Sequence, residues 1–513
     1  MKMSVIGVGY LGAVHAASMA KLGHDVVGID IDADRVAALN EGRSPFFEPG
    51  FDELLSDGIS SGTLRFTTDW ADLTDCRVHF LALGTPQKPD SNNADLSYIQ
   101  SALASLTGAL AAAGASGGGD GSRPLIVGKS TVPVGTARKL RDQVADHADL
   151  MWNPEFLREG FAVQDTLTPD RLVYGVAADD ETAPEVAILD EVYRAIIDTG
   201  VPRFVYGLET SELVKVSANA FLATKISFIN AIAEVCEATG GDVTQVAEAI
   251  GADERIGSKF LRAGLGFGGG CLPKDIRAFM ARAEELNVGE AVGFLREIDA
   301  INIRRRERVL NLARLELQGD LAGKRVTVLG AAFKPNSDDT RDSPALDVAH
   351  MLHREGAKVT VTDPQAIPNA RRRFPELTYV ENCEEAMIDA ELVILGTEWA
   401  RFRELSPTVT MRLVHPGASI IDARNVLDPA AWRAAGWVFH ALGRMSPQHS
   451  FPVQQPSWMA DGCRSQKKRV AQPVAARPAT AHANVPQPTA AHASAGAAAD
   501  TGTVTSVGAA AGA

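Results

Sequence analysis

Cysteine is scarce in this 513-residue chain: five residues, at positions 76, 236, 271, 383 and 463, none in a Cys-x-x-Cys pair. That spacing excludes a disulfide framework and a zinc knuckle, and no metal is expected. Free thiols point to a reducing setting, so a cytoplasmic location is expected. Basic charge is also short, with 50 Lys and Arg against 64 Asp and Glu and a net charge of −14. A general nucleic-acid binder needs a basic face, which this balance does not supply, although one local pocket can still hold a nucleotide. No uninterrupted apolar run reaches about 18 residues, so no membrane span is expected. Met1–Gly7 runs straight into a strand-and-glycine pattern, without the apolar stretch and cleavage site of a signal peptide. Residues 471–513 contain no Leu, Ile, Phe, Met, Trp or Tyr. Such a segment cannot bury enough apolar surface to offset ordering entropy, and disorder is expected there. The basic run Lys467-Lys468-Arg469 just before it reads as a solvated charge cluster.

The rest of the chain alternates short apolar runs with helical patterns. Val5-Ile6, Val26–Ile29, Val78–Leu81, Leu125–Val127 and Leu172–Tyr174 read as strands buried on both faces, the mark of a parallel sheet. The second half repeats the theme in Val326–Gly330, Lys358–Asp363 and Leu392–Thr397. The expected fold is α/β, with two Rossmann-like doubly wound parallel-sheet domains joined by a central helical segment. Expected boundaries are 1–205, 206–318 and 319–445, with a low-complexity tail over 446–513. Ser211 to Ala238 lacks Pro and Gly, which predicts one long helix that can also serve as a subunit interface.

Gly7-Val8-Gly9-Tyr10-Leu11-Gly12 follows the first strand and opens a helix pattern. Gly7 allows a tight turn, Gly9 lets backbone approach a pyrophosphate, and Gly12 lets helix pack on strand. The helix N-terminus offers free N–H groups to phosphates. Asp30 ends the second strand, 23 residues after Gly7. A carboxylate there accepts from ribose hydroxyls and repels a 2′-phosphate, which favours NAD; Arg35 nearby leaves NADP open. The turn in the second half, Gly330-Ala331-Ala332-Phe333-Lys334, lacks the later glycines. With Lys334 and Arg341 close by, it suits a different phosphate ligand, such as a nucleotide sugar.

Phe267-Gly268-Gly269-Gly270-Cys271-Leu272-Pro273-Lys274-Asp275 is the most informative segment. Pro273 fits the first turn of a helix, which places Cys271 at its N-terminus. The helix dipole and Lys274 both favour a thiolate, so a lowered thiol pKa is expected. A nucleophilic Cys beside NAD suits oxidation of an aldehyde to an acid, through a thiohemiacetal and a thioester. Cys76, Cys236, Cys383 and Cys463 lack such surroundings and read as structural. Lys215 and Asn219 are four apart, hence on one helix face with Ser211 and Leu222, and suited to stabilising an oxyanion. Asn153-Pro154-Glu155 reads as an N-cap, a proline and a first helical turn, with Glu155 and Glu159 on one face. Thr131 follows a strand end, where ligands collect in open α/β sheets.

Taken together, Gly7–Gly12, Gly84-Thr85-Pro86, Ser130–Pro133, Asn153–Gly160, Asn219–Ala223, Arg255–Gly257, Phe267–Asp275, Ala332–Pro335 and Asp338–Pro344 resemble the UDP-glucose/GDP-mannose dehydrogenase family, in order over about 1–445. The resemblance implies two successive oxidations at C6 of a nucleotide sugar, with UDP-glucose favoured over GDP-mannose and NAD as acceptor. It implies Cys271 as nucleophile, Lys215 and Asn219 as oxyanion stabilisers, Asp275 and a water near Thr131 in proton transfer, and Glu155 in hydrolysis. Tyr10, Leu11, Thr85, Thr131, Glu159, Lys274 and Arg341 would contact NAD. Glu155, Phe156, Leu157, Phe260, Gly264, Gly268 and Lys334 would contact the sugar nucleotide. Arg255 would reach in from a second subunit, which implies at least a homodimer. Gly270 departs from the family, which usually has Ser there. A simple hydroxyacid dehydrogenase would leave Cys271 idle, and a catalytically silent NAD- or nucleotide-sugar-binding regulator need not keep Cys271, Lys215 and Asp275 together.

Overall fold

The computed structural model describes residues 1–114, 123–178 and 180–444. Cys463, Lys467–Arg469 and the 471–513 segment lie outside them. The described residues form two sheets, the first of eight strands: β1 (Lys2–Ile6), β2 (Asp25–Ile29), β3 (Leu64–Thr67), β4 (Val78–Leu81), β5 (Leu125–Gly128), β6 (Asp149–Trp152), β7 (Leu172–Val176) and β8 (Arg203–Gly207), in the order β3-β2-β1-β4-β5-β6-β7-β8. The second sheet has six: β9 (Arg325–Leu329), β10 (Lys358–Thr362), β11 (Thr378–Tyr379), β12 (Leu392–Leu395), β13 (Ser419–Asp422) and β14 (Val438–Ala441), ordered β11-β10-β9-β12-β13-β14. The first six strands of the first sheet thus share the order of the second. In each sheet the strand order reverses between the first and fourth strands (β1/β4 and β9/β12), which opens a crevice at their carboxyl ends.

The apolar runs are buried on both faces, as the sequence requires: Val5, Val26, Phe80, Leu125 and Ile126 are solvent-free. One expected strand departs from the parallel pattern. Leu172–Tyr174 belongs to β7, which pairs antiparallel with β6 at Trp152 and Gly175. The connection between them holds only the short helix Ala162–Leu167, too little for a full helical crossover.

The helix Leu208–Thr239 has 32 residues and ends at Gly240, whose φ of +85° stops it in the left-handed region. It spans about 48 Å at 1.5 Å per residue. By length and composition it is apolar enough to cross a membrane. Here it instead buries Ser211, Lys215 and Asn219 among protein groups, in contact with the first sheet and with the helices Leu272–Glu285 and Phe294–Glu316. Lys215 and Asn219 therefore face one site together.

Candidate active site

Cys271 caps the N-terminus of helix Leu272–Glu285, with Pro273 in the first turn. The preceding glycine strap lies against the second sheet's loop: a Cβ on Gly268 would sit 2.2 Å from the Asp342 carbonyl oxygen, so only bare backbone fits. Asp275 is buried one turn on. It accepts from the Asn219 amide at 2.6 Å and pairs with Lys274. Lys215 pairs with Glu155 at 3.0 Å, and its ammonium lies 5.5 Å from the centre of the Phe156 ring. The Arg171 guanidinium stacks on the same ring at 3.9 Å. Burial opposes the Lys215 charge, but Glu155, Asp275 and the Cys271 sulfur outweigh it and the pKa is raised.

The thiol behaves contrary to the sequence expectation. Burial and the Glu155 and Asp275 carboxylates push Cys271 up to about 12. Its surface is open to the adjoining cavity, yet protein surrounds it on the other sides and two acids stand close. Lys274, expected to favour a thiolate, is held by Asp275 instead.

A cavity of about 690 Å³ opens in front of Cys271. Leu157, Glu159, Lys215, Asn219, Phe260, Gly264, Gly268 and Lys334 line it. Glu155 and Phe156 stand behind Lys215. Arg255 does not reach the cavity within this chain; it is exposed and paired with Asp253. Thr85, Thr131, Lys274 and Asp275 line a separate cleft of about 20 Å³, room for one water. The Thr85 hydroxyl donates to the Thr131 carbonyl at 2.7 Å and so ties two strand ends together.

The first crevice fits a dinucleotide. Gly7 has φ +87°, and a Cβ on Gly12 would lie 1.8 Å from the Gly7 carbonyl oxygen. Helix Tyr10–Lys21 starts at Gly9 with no side-chain cap and no acid in its first turn, which leaves its N–H groups for phosphate. Asp30 accepts from Val8 N and Arg35, and Arg35 is thereby drawn onto acids. The Tyr10 hydroxyl is engaged by Glu48, which also accepts from Gly160 and Ala162 N–H groups. Arg341 is bound to Asp339 and Glu159, and Glu159 lines the cavity in front of Cys271.

Residues 153–158 are not helical, although the sequence pattern predicts a turn of helix there. Asn153 is buried and donates to the Val173 carbonyl, so its amide serves the sheet rather than a helix N-terminus. Glu155 consequently turns to Lys215, and Glu159 to Arg341 and Ser337. Sequence reasoning misses Asn302, whose amide bonds both the N–H and the carbonyl of Phe267 on the cavity strap. It also misses Arg424, which donates to the carbonyls of Gly266, Phe333 and Gly396. Arg424 follows β13 at a strand end, a position that could have flagged it.

Three family models match in succession: the NAD binding domain (residues 1–197), the central domain (209–304) and the UDP binding domain (327–429) of the UDP-glucose/GDP-mannose dehydrogenase family. A UDP-glucose 6-dehydrogenase of Rhizobium meliloti is 39% identical over 86% of this chain and 100% of its own length. UDP-glucose 6-dehydrogenase AglM of Haloferax volcanii is 40% identical over 83% of this chain and 99% of its own. The structure of a UDP-glucose dehydrogenase from Pyrobaculum islandicum superposes with a TM-score of 0.77 at 37% identity, covering 86% of this chain and 98% of that one. Fold and site thus define an NAD-dependent nucleotide-sugar dehydrogenase. More narrowly, the chain belongs to the UDP-glucose/GDP-mannose dehydrogenase family.

Proposed function

We propose that the protein oxidises UDP-glucose at C6 to UDP-glucuronate through a covalent intermediate on Cys271. The observation that carries this reading is the Cys271 sulfur facing a sugar-sized cavity beside Lys215 and Asn219. NAD supplies the two-electron acceptor for each of the two oxidations. After the first, the Cys271 sulfur bonds to the C6 aldehyde and the thiol proton ends on the hemiacetal oxygen. The second oxidation gives the thioester, and water releases the acid. Lys215 and Asn219 stabilise negative charge on the C6 oxygen, which is worth most in a dry site. Asp275 and a water at Thr131 move the alcohol proton, and Glu155 serves hydrolysis. The loops of the second sheet, through Lys334, hold the diphosphate; burial lowers the Lys334 pKa, and an anion bound beside it would restore the ammonium by opposing that loss.

The working form is a homodimer on this reading. Phe221, Phe228 and Val235 are 66%, 49% and 55% exposed and recur every seven residues, so they form an apolar stripe along the long helix. A second copy covering that stripe can bring its Arg255 to the cavity. Dependence on a free thiol suits the cytoplasm.

The test offers UDP-glucose and GDP-mannose separately and counts NADH per sugar consumed. Two NADH per UDP-glucose are expected, with little turnover of GDP-mannose. Cys271→Ala should lower acid formation at least about 1000-fold while NAD binding stays near normal; unchanged turnover would exclude the thioester route.

A further inference from the structure

Lys129 is a buried ammonium to which the chemistry above gives no task. It follows β5 and is 7% exposed. Burial lowers its pKa to about 8. Its ammonium donates to the Asn153 side-chain oxygen at 3.0 Å, the Tyr193 hydroxyl at 3.3 Å and the Asn153 carbonyl at 3.5 Å. The Tyr193 hydroxyl donates in turn to the same Asn153 oxygen at 2.9 Å. Asn153 completes its bonding through its side-chain amide to Val173 and its backbone N–H to Gly128. All three acceptors of the ammonium are neutral. A buried charge with no acid in hydrogen-bond contact is expensive; the Glu155 carboxylate acts on it only through space, against the Lys215 charge, and every one of its hydrogen bonds ends on, or leads to, one residue.

That residue begins the non-helical segment Asn153-Pro154-Glu155. Pro154 fixes its own φ and restricts Asn153, so an anchored Asn153 sets where Glu155 starts. Glu155 then meets Lys215 at 3.0 Å and accepts from Leu157 N–H at 2.5 Å. We propose that Lys129, acting through Tyr193 and Asn153, is a positioning residue that holds Glu155 in place for hydrolysis of the Cys271 thioester. This rests on the thioester reading given above. In the step concerned, a water oxygen bonds to C6 and the carbon–sulfur bond breaks. Sulfur leaves with the bonding pair, and the proton lost by water passes to Glu155. The two oxidations before it need the sulfur, Lys215, Asn219, Asp275 and the water at Thr131; Lys129 hydrogen-bonds to none of these residues and meets Lys215 only as a like charge through space.

The experiment mixes full-length enzyme with NAD and UDP-glucose, quenches during turnover, and weighs the intact protein. Wild type should show little adduct. Lys129→Met should release its first two NADH per site within about threefold of the wild-type rate. Its steady-state rate should fall about 10- to 100-fold, with a glucuronyl adduct accumulating on Cys271. Tyr193→Phe, which removes only a hydroxyl, should shift the balance the same way by a smaller factor and guards against a misfolded Lys129→Met. A uniform loss of burst and steady state in the folded Tyr193→Phe protein would mark a merely structural role and overturn the proposal. So would wild-type turnover in folded Lys129→Met. Should no variant, wild type included, ever carry an adduct or release two NADH per sugar, the thioester reading itself fails, which is a different result.

Discussion

The two halves of the molecule use one strand order for two purposes, and the difference lies in the connection from the first strand of each to its helix. In the first half the helix begins at Tyr10, three residues after Gly7. In the second it begins at Pro344, fourteen residues after Gly330. The longer connection carries Lys334 out to the cavity in front of Cys271 and Arg341 to Glu159 beside it. The acid that ends the second strand has diverged in the same way. Asp30 accepts from Val8 N, Asp32 N and Arg35. Asp363 is buried and accepts from five groups: the N–H groups of Ala331, Ala332, Gln365 and Ala366 and the Trp399 indole. Its lone pairs are consumed in folding its own turn, so no ribose can claim them. A Rossmann turn becomes a sugar-nucleotide loop when its helix moves back and its acid becomes structural.

The sharpest way to break this comparison is at Gly12. Its Cβ would strike the Gly7 carbonyl, a backbone atom that cannot step aside. Gly12→Val should weaken NAD binding at least about 100-fold by calorimetry. The matching position in the second turn, five residues after Gly330, is Pro335. Pro335→Val should leave NAD affinity within about twofold; an equal loss there would erase the distinction between the turns.

A smaller contrast concerns the two acids. Asp363→Asn turns an amide group toward backbone donors that have no other acceptor. Each unmet buried group costs about 1–3 kcal/mol, so a loss of about 3 kcal/mol is expected, with NAD affinity unchanged. Asp30→Asn should do the reverse, raising the Kd for NAD about tenfold with little change in Tm, as the loss of one charge-assisted bond implies. Denaturant melts and NAD titrations of both variants would show whether the roles separate.

Much of this is legible in the sequence. Strand runs, both glycine turns and the helix under Cys271 come from local patterns that tertiary packing only confirms. Lys215 and Asn219 can be paired because a helix fixes i and i+4 on one face. The hidden part depends on contacts between distant segments. The Cys271 thiol is raised first by burial and then by Glu155, more than a hundred residues away in the chain; the local pattern shows only the helix dipole and Lys274. Residues 153–158 carry helix-start letters, yet the Asn153 side chain is taken by Val173, Lys129 and Tyr193, and the cap is never made. Asn302 acts on the strap at Phe267, far along the chain, and nothing in its neighbours announces it; Arg424 offers only its place after a strand end, which does not show which carbonyls it will meet.

The smallest expected effect lies at the seam between the halves. Glu159, from the first, meets Ser337 and Arg341 of the second. An ion pair should lower a carboxyl's pKa, yet burial and the Asp339 carboxylate push this one up to about 7. The reason is competition: Arg341 gives Asp339 its Nε and an Nη2 contact of 2.7 Å, and gives Glu159 a single contact of 3.2 Å. An unfolded Glu titrates near 4.3. Between about pH 4.3 and 7 the folded state therefore holds more protons than the unfolded one, and stability falls as pH rises through that window. Glu159→Gln removes the titration. Between pH 5 and pH 8 the wild-type Tm should drop about 3 °C more than that of Glu159→Gln, for a linkage of about 2.5 kcal/mol at about 1.36 kcal/mol per pH unit. Parallel curves would mean that Arg341 compensates both acids, and that the seam is neutral to pH.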